Sequence, residues 1–266
     1  MTSPQAAWSP PGADSKLSAF AARQRARRRS ASPRRSVIGG TLFLVGVVIL
    51  IVTLFLGWYA ITATATSSSG GGSTNATGTE TFYPVNQVTI SFSCSGQNCS
   101  GTLSATNSYS QAGLHEVGDL YTIVVVFVSA GIALVLAAAV FALTSAGHRS
   151  GWALLLAVIG IVLIAAAPTM LLGAQPSLLK SDEGGSGGSG NVTASSSPAS
   201  SFFGSCSGSG CGGALANGQS ASASWGPSAG WYLCLVALAP LVTGFFLVRS
   251  QKRAPPSPDE ITGLPR

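Results

Sequence analysis

Charge is what this chain most lacks. Of its 266 residues only 8% are Asp, Glu, Lys or Arg, against about 25% in an ordinary soluble protein. So sparse a supply cannot clothe a water-exposed surface of that size, which excludes a large soluble enzyme core. Histidine is nearly absent too, with His115 and His148 alone. No carboxylate pair, Ser/His/Asp constellation or Gly-rich phosphate loop after a strand can be assembled from the remainder. Neither an enzyme nor a cofactor is expected. Residues 61–119 contain no Lys or Arg, and residues 175–228 contain only Lys180.

What is present is apolar and blocked. Four runs without Asp, Glu, Lys, Arg or His occupy residues 37–60, 120–144, 152–174 and 229–248. A bilayer core about 30 Å thick needs roughly 20 apolar residues at 1.5 Å rise each, so each run reads as a transmembrane helix. The expected fold class is an all-α integral membrane protein with four such helices. Outer loops at 61–119 and 175–228, a cytoplasmic link at 145–151, an expected disordered basic N-terminal segment at 1–36 and an expected disordered tail at 249–266 complete the organisation.

Basic residues set the orientation. Thirteen of the fourteen lie in residues 1–36, at Arg149 or in the final segment. Both termini are therefore expected in the cytoplasm of a multi-pass cell-membrane protein. Ala63-Thr64-Ala65 resembles a signal-peptidase site, but the long basic leader and an apolar run beyond 20 residues point to an uncleaved anchor. The run of Arg23, Arg25, Arg27, Arg28, Arg29, Arg34 and Arg35 adjoins a span without interleaved aromatics. It suits anionic lipid, at about 1 kcal/mol per basic side chain, and not nucleic acid.

One internal repeat stands out. Ser93 to Leu103 reads SCSGQNCSGTL and Ser205 to Leu215 reads SCSGSGCGGAL, identical at seven of eleven positions. The expectation is two tandem duplicated hairpins, at 37–144 and 152–248, each a span, a cysteine loop and a returning span. Val88, Ile90, Phe92 and Cys94 alternate with polar residues, the pattern of a half-buried strand. A weaker return strand through Thr102 and Leu103 would make a short β-hairpin-like loop, with a looser copy in the second outer segment. Stretches at 67–73 and 184–190 read as Gly/Ser linkers.

Cys94, Cys99, Cys206 and Cys211 fall outside, where thiols oxidise. Four cysteines allow three connectivities; pairing within each repeat, Cys94 with Cys99 and Cys206 with Cys211, is favoured because it leaves each unit self-contained. Zinc is the lesser alternative, since C-x4-C spacing lacks the tighter C-x2-C, and no metal site is expected. Asn75, Asn98 and Asn191 head N-x-S/T sequons and are possible glycosylation sites. Cys234 reads as a small apolar residue within a span.

Intramembrane chemistry is sparse. The runs offer the hydroxyls Thr53, Ser129 and Thr169 and the helix-breakers Pro168 and Pro240, which keep a small transporter or channel subunit as one alternative. Small residues at Ser129, Ala133 and Ala137, and at Ala153 and Ala157, are candidates for close helix packing. Four spans with two extracytoplasmic cysteine pairs are similar in outline to the DsbB family of quinone-linked disulfide generators, which implies a membrane thiol-disulfide oxidoreductase as the other alternative. No C-x-x-C is present. Four spans with a cysteine-bearing β loop are also similar in outline to the claudins, without their G-L-W signature. The leading expectation is a non-enzymatic envelope protein that displays two disulfide-closed Gly/Ser-rich loops to a protein or glycan partner outside.

Overall fold

The computed structural model describes residues 37–69, 72–96, 99–144, 150–185, 197–211 and 219–250. Helix α1 (Val37–Thr53) leads into strands β1 (Tyr59–Ser69), β2 (Gly72–Tyr83), β3 (Gln87–Gly96) and β4 (Cys99–Asn107). Two long helices follow, α2 (His115–Thr144) and α3 (Ser150–Gly185). The chain then adds β5 (Gly204–Ser207), a 3-10 turn (Gly208–Cys211), β6 (Gln219–Pro227) and α4 (Ala229–Ser250). All six strands join one antiparallel sheet in the order β4-β3-β2-β1-β6-β5.

The all-α expectation is therefore wrong: the fold is a helical bundle carrying a six-stranded sheet. The reason lies in outer segments that look like linkers. From Tyr59 onward the chain alternates Ala or Ile with Thr or Ser, a period-two pattern whose apolar half is too small to register as hydrophobic. Pairing satisfies every second backbone group on each side, and the strands extend well beyond the expected Val88–Cys94 core. Of the expected linker 67–73, residues 67–69 and 72–73 belong to β1 and β2, with Ser67 paired to Thr74 and Ser69 to Gly72, while 70 and 71 lie outside the described residues. Gly184 and Gly185 belong to α3, while 186–190 lie outside the described residues.

The tandem-hairpin expectation fails for a related reason. The 112-residue offset that aligns the cysteines carries β4 onto residues 211–219, where the 3-10 turn ends and β6 only begins. Among the described residues the first outer segment builds four strands and the second builds two. They merge along the β1–β6 pairing, Tyr59 opposite Pro227 through Ser67 opposite Gln219, so neither is a self-contained unit.

The helices α2, α3 and α4 are long and apolar enough to cross a membrane, which is compatible with a membrane location, whereas α1 is a shorter apolar helix. Its seventeen residues span about 25 Å. Among the described residues, three spanning-length helices thus stand where four were expected. The run 37–60 is cut short because Leu54 to Leu56 turn back on the last helical carbonyls, and the Trp58 amide donates to Phe82 O at 2.8 Å. Tyr59 then enters the sheet. At the other extreme α3 continues to Gly185, well past residue 174, with Pro168 and Pro176 inside it.

Each helix buries one face at alternating three- and four-residue steps, for example Val124, Val128, Gly131, Val135 and Ala138 on α2. Two crossings are glycine on glycine. A Cβ at Gly131 would meet Gly160 O and one at Gly160 would meet Gly131 O, joining α2 to α3; Gly39 and Gly244 stand in the same relation between α1 and α4. Gly40 lies against Leu143, and Trp231 Nε1 donates to Pro168 O at 3.2 Å, so α1 also meets α2, and α3 meets α4. Ala153 and Ala157 are buried as small packing residues, but Ser129 and Ala133 are exposed.

Candidate functional site: an uncharged hydroxyl face

Register turns the outer segments' Ser and Thr content into a surface. Side chains two apart on a strand share a face, and antiparallel partners stand side by side about 4.8 Å apart. One row across the sheet reads Thr102, Ser93, Thr77, Thr64, Ser222 and Ser207; the next reads Ser104, Ser91, Thr79, Thr62, Ser224 and Ser205. Above them run Ser100, Ser95, Asn75, Thr66 and Ser220. Every position in these three rows is Ser or Thr except Asn75. No charge lies among them.

The rows are partly knitted together. Thr64 and Ser222 share a hydroxyl hydrogen bond of 2.6 Å, and Thr66 pairs with Ser220; in the row nearer the helices Thr89 and Thr106 share one of 3.2 Å. Over β1 to β4 the face is concave, a groove of about 650 Å³ lined by Thr64, Thr66, Asn75, Thr77, Ser93, Ser95 and Thr102. Such a lining donates and accepts hydrogen bonds without net charge. It suits a neutral, polyhydroxylated or amide-bearing ligand and offers no group able to activate a nucleophile.

The opposite face is apolar. Its row nearest the helices, Val88, Phe82 and Tyr59, is buried. These side chains belong to an aromatic layer between sheet and bundle, in which Phe82 lies 5.7 Å from Tyr59, 6.3 Å from Tyr109 and 6.4 Å from Tyr121 between ring centroids. Tyr59 also meets Phe202 at 5.1 Å, and Phe202 meets Trp231 at 6.2 Å. Burial pushes the Tyr59 and Tyr109 phenols well above their ordinary range. The Tyr109 hydroxyl donates to Tyr83 O at 2.8 Å.

Two polar side chains in this region escape sequence reasoning. Gln175 is fully buried, takes a long 3.5 Å hydrogen bond from the Tyr121 hydroxyl, and leaves its Nε2 without a partner among the described residues, as does the Tyr59 hydroxyl. Asp182, near the end of α3, accepts the Glu116 and Val117 amides at 3.1 Å each and so caps α2. Ending the third run at residue 174 hid both. The only signal was the helix-compatible stretch after it, with Leu178 and Leu179 at packing spacing.

The structure pairs Cys94 with Cys99 and Cys206 with Cys211, with Cα separations of 5.6 and 5.2 Å. The first closes the β3–β4 hairpin beside the groove, and the second ties β5 to the 3-10 turn. Disulfide sulfurs are not thiolate ligands, which removes the zinc alternative at these positions. Cys234 is free and buried within α4. Asn75 is exposed on the hydroxyl face, while Asn98, Asn191 and the basic run Arg23 to Arg35 lie outside the described residues. His115 begins α2, and His148 is likewise outside them.

Fold and face together define a class: a bundle with helices of spanning length that bears at one end a two-faced β-sheet whose hydroxyl face carries no charge. Comparison with protein-family models and with curated proteins finds no match.

Proposed function

We propose that the chain is a non-enzymatic, multi-pass envelope protein that holds its sheet on the outer side of the cell membrane and presents the hydroxyl face to a neutral glycan. The observation that carries this reading is the three-row Ser/Thr/Asn surface, unbroken by charge, with two of its rows crossing all six strands. A face meant to bind anionic polymers would carry Lys or Arg. One meant for protein cores would carry aromatic anchors.

Orientation follows from charge. The α1 start, the α2 end and the α4 end lie together, through Gly40 against Leu143 and Gly39 against Val248, opposite the sheet. That is the end to which Arg249 and the basic segments 1–36 and 249–266 attach, and a cytoplasmic location there obeys the positive-inside bias. The basic segments would meet anionic lipid on that side.

Retention of the purified protein, in lipid nanodiscs, on insoluble cellulose, chitin and mannan tests the reading against heparin as the charged control. The expected result is retention on a neutral polymer that resists added salt and is lost in a Thr64→Val/Thr77→Val/Ser93→Ala variant. Retention on heparin alone, or on none of the four, overturns it. Sidedness is read separately: an impermeant maleimide should label Thr79→Cys on intact cells, and labelling only after permeabilisation would reverse the topology.

A further inference from the structure

The groove in the hydroxyl face is lined by side chains of two kinds. Thr64 bonds Ser222 and Thr66 bonds Ser220, so both β1 hydroxyls are committed to β6, while Ser93 Oγ turns back on Thr77 O at 3.5 Å. On β2, between these strands, the side chains of Asn75 and Thr77 engage no partner among the described residues. Asn75 is exposed, flanked by Thr66 on β1 and Ser95 on β3, and is the one carboxamide in the three rows of hydroxyls.

Hydroxyls and carboxamides read different things. A Ser or Thr hydroxyl donates or accepts as its proton rotates, so it fits any sugar hydroxyl and distinguishes none. A carboxamide is planar, with donors fixed at Nδ2 and an acceptor fixed at Oδ1. A fixed donor favours a group that only accepts. The ether oxygens of a neutral glycan accept poorly, and a strong carbonyl acceptor enters only where a hydroxyl is replaced by an N-acetyl group.

We infer that the groove selects N-acetylated sugar units and that Asn75 sets the preference. The inference rests on the glycan reading above and names the class of glycan. A secondary amide is trans, so its C=O and N–H leave in opposite directions and each needs its own partner. Asn75 Nδ2 donates to the carbonyl. The Thr77 hydroxyl, two residues and about 6.8 Å farther along the same face of β2, accepts the N–H. Hydrogen bonds of about 2.9 Å on either side of one amide bridge a gap of that order. Thr64, Thr66 and Thr102 bring methyl groups to the same lining, an apolar seat for the acetyl methyl, and no Asp or Glu lines it to pair with a free amino sugar. The volume of about 650 Å³ falls within the roughly 300–1,000 Å³ of small-ligand sites. Asn75 also heads the sequon Asn75-Ala76-Thr77, and a glycan attached there would consume the same Nδ2.

The test uses the full chain in lipid nanodiscs and three soluble β-1,4-linked tetramers, of N-acetylglucosamine, of glucosamine and of glucose, with affinity read by titration calorimetry. The N-acetylglucosamine tetramer should bind about tenfold tighter than either of the others, as a pair of well-made hydrogen bonds supplies. Asn75→Ala should bring that ratio near one. Asn75→Asp keeps the shape but puts an acceptor where the donor was, and should do the same. Equal affinities in the parent chain, or a preference that survives both substitutions, overturn the inference. So does a native chain whose Asn75 carries a glycan, and so does displacement of the tetramer by an equal concentration of N-acetyltriglycine amide, which offers the amide without the sugar. Binding of none of the three tetramers overturns it too; only a simultaneous loss of retention on every insoluble neutral polymer takes the glycan reading with it.

Discussion

At the scale of single residues, the polar groups that matter are those the bundle has swallowed. Asp182 supplies both carboxylate oxygens to the first free amides of α2, at 3.1 Å each, from a position on α3. It satisfies two donors that would otherwise point into a partly buried junction, and its charge suits a helix N-terminus. Asp182→Ala should cost about 1–2 kcal/mol, read by denaturant unfolding in micelles, and Asp182→Asn, which keeps one acceptor, should recover part of it. An unchanged midpoint would mean that the cap is idle. Tyr59 behaves oppositely. Its hydroxyl is buried without a partner among the described residues, so Tyr59→Phe should leave stability at pH 7 equal or higher by about 1 kcal/mol. The same substitution has a pH signature. An unfolded Tyr59 ionises near its ordinary value of 10.0, whereas the buried phenol holds its proton to higher pH, so the folded state loses stability as pH rises above 10.0. Tyr59→Phe should flatten that alkaline decline, and equally steep declines in both proteins would refute the assignment.

At the scale of elements, the turn between β2 and β3 sets the register on which both sheet faces depend. Pro84, Val85 and Asn86 join Tyr83 to its partner Gln87, and Asn86 has φ of 51°, the left-handed region where Asn and Gly are tolerated. Asn86→Gly should be neutral or mildly stabilising, while Asn86→Val should cost about 1–2 kcal/mol by thermal unfolding; equal effects would show that the turn carries no strain. This hairpin was half legible in the sequence. Val88, Ile90 and Phe92 announce β3 by their contrast with the residues between them. β1 and β6 obey the same period with Ala as the apolar member, and Ala against Thr or Ser gives a contrast too weak to separate strand from linker. The helices show the complementary failure. Composition located four apolar runs, three of which carry helices of spanning length among the described residues, but the first run continues into Trp58 and Tyr59 without saying where helical bonding stops. That boundary is set by Phe82, Pro227 and Ser228, residues far along the chain. The hydroxyl face could not be read at all, because it exists only once β6 is placed beside β1, pairing Thr64 with Ser222 across 158 residues.

At the scale of the whole molecule, sheet and bundle share one core. Phe82 sits at its centre, fully buried on β2 and touching Tyr59 of β1, Tyr109 of the segment before α2 and Tyr121 of α2. Trp58 fastens the same junction from the α1 side, its Nε1 donating to Thr53 O at 2.8 Å while its carbonyl accepts the Ser228 amide at 2.9 Å. These contacts fix the sheet's attitude to the bundle, and with it the direction in which each face looks. Removing the hub should therefore separate two properties that a detached loop would keep independent. Phe82→Ala should cost about 3–5 kcal/mol of stability. The helices, whose Gly131–Gly160 and Gly39–Gly244 crossings lie far from Phe82, should remain inserted and folded. Protease added to the purified protein should then cut within 59–107 of the variant while leaving that segment of the parent chain intact, with far-UV helical signal preserved in both. Loss of helix together with sheet would instead make the molecule one indivisible cooperative unit, and protection equal to the parent's would show that the aromatic layer does not hold the sheet at all.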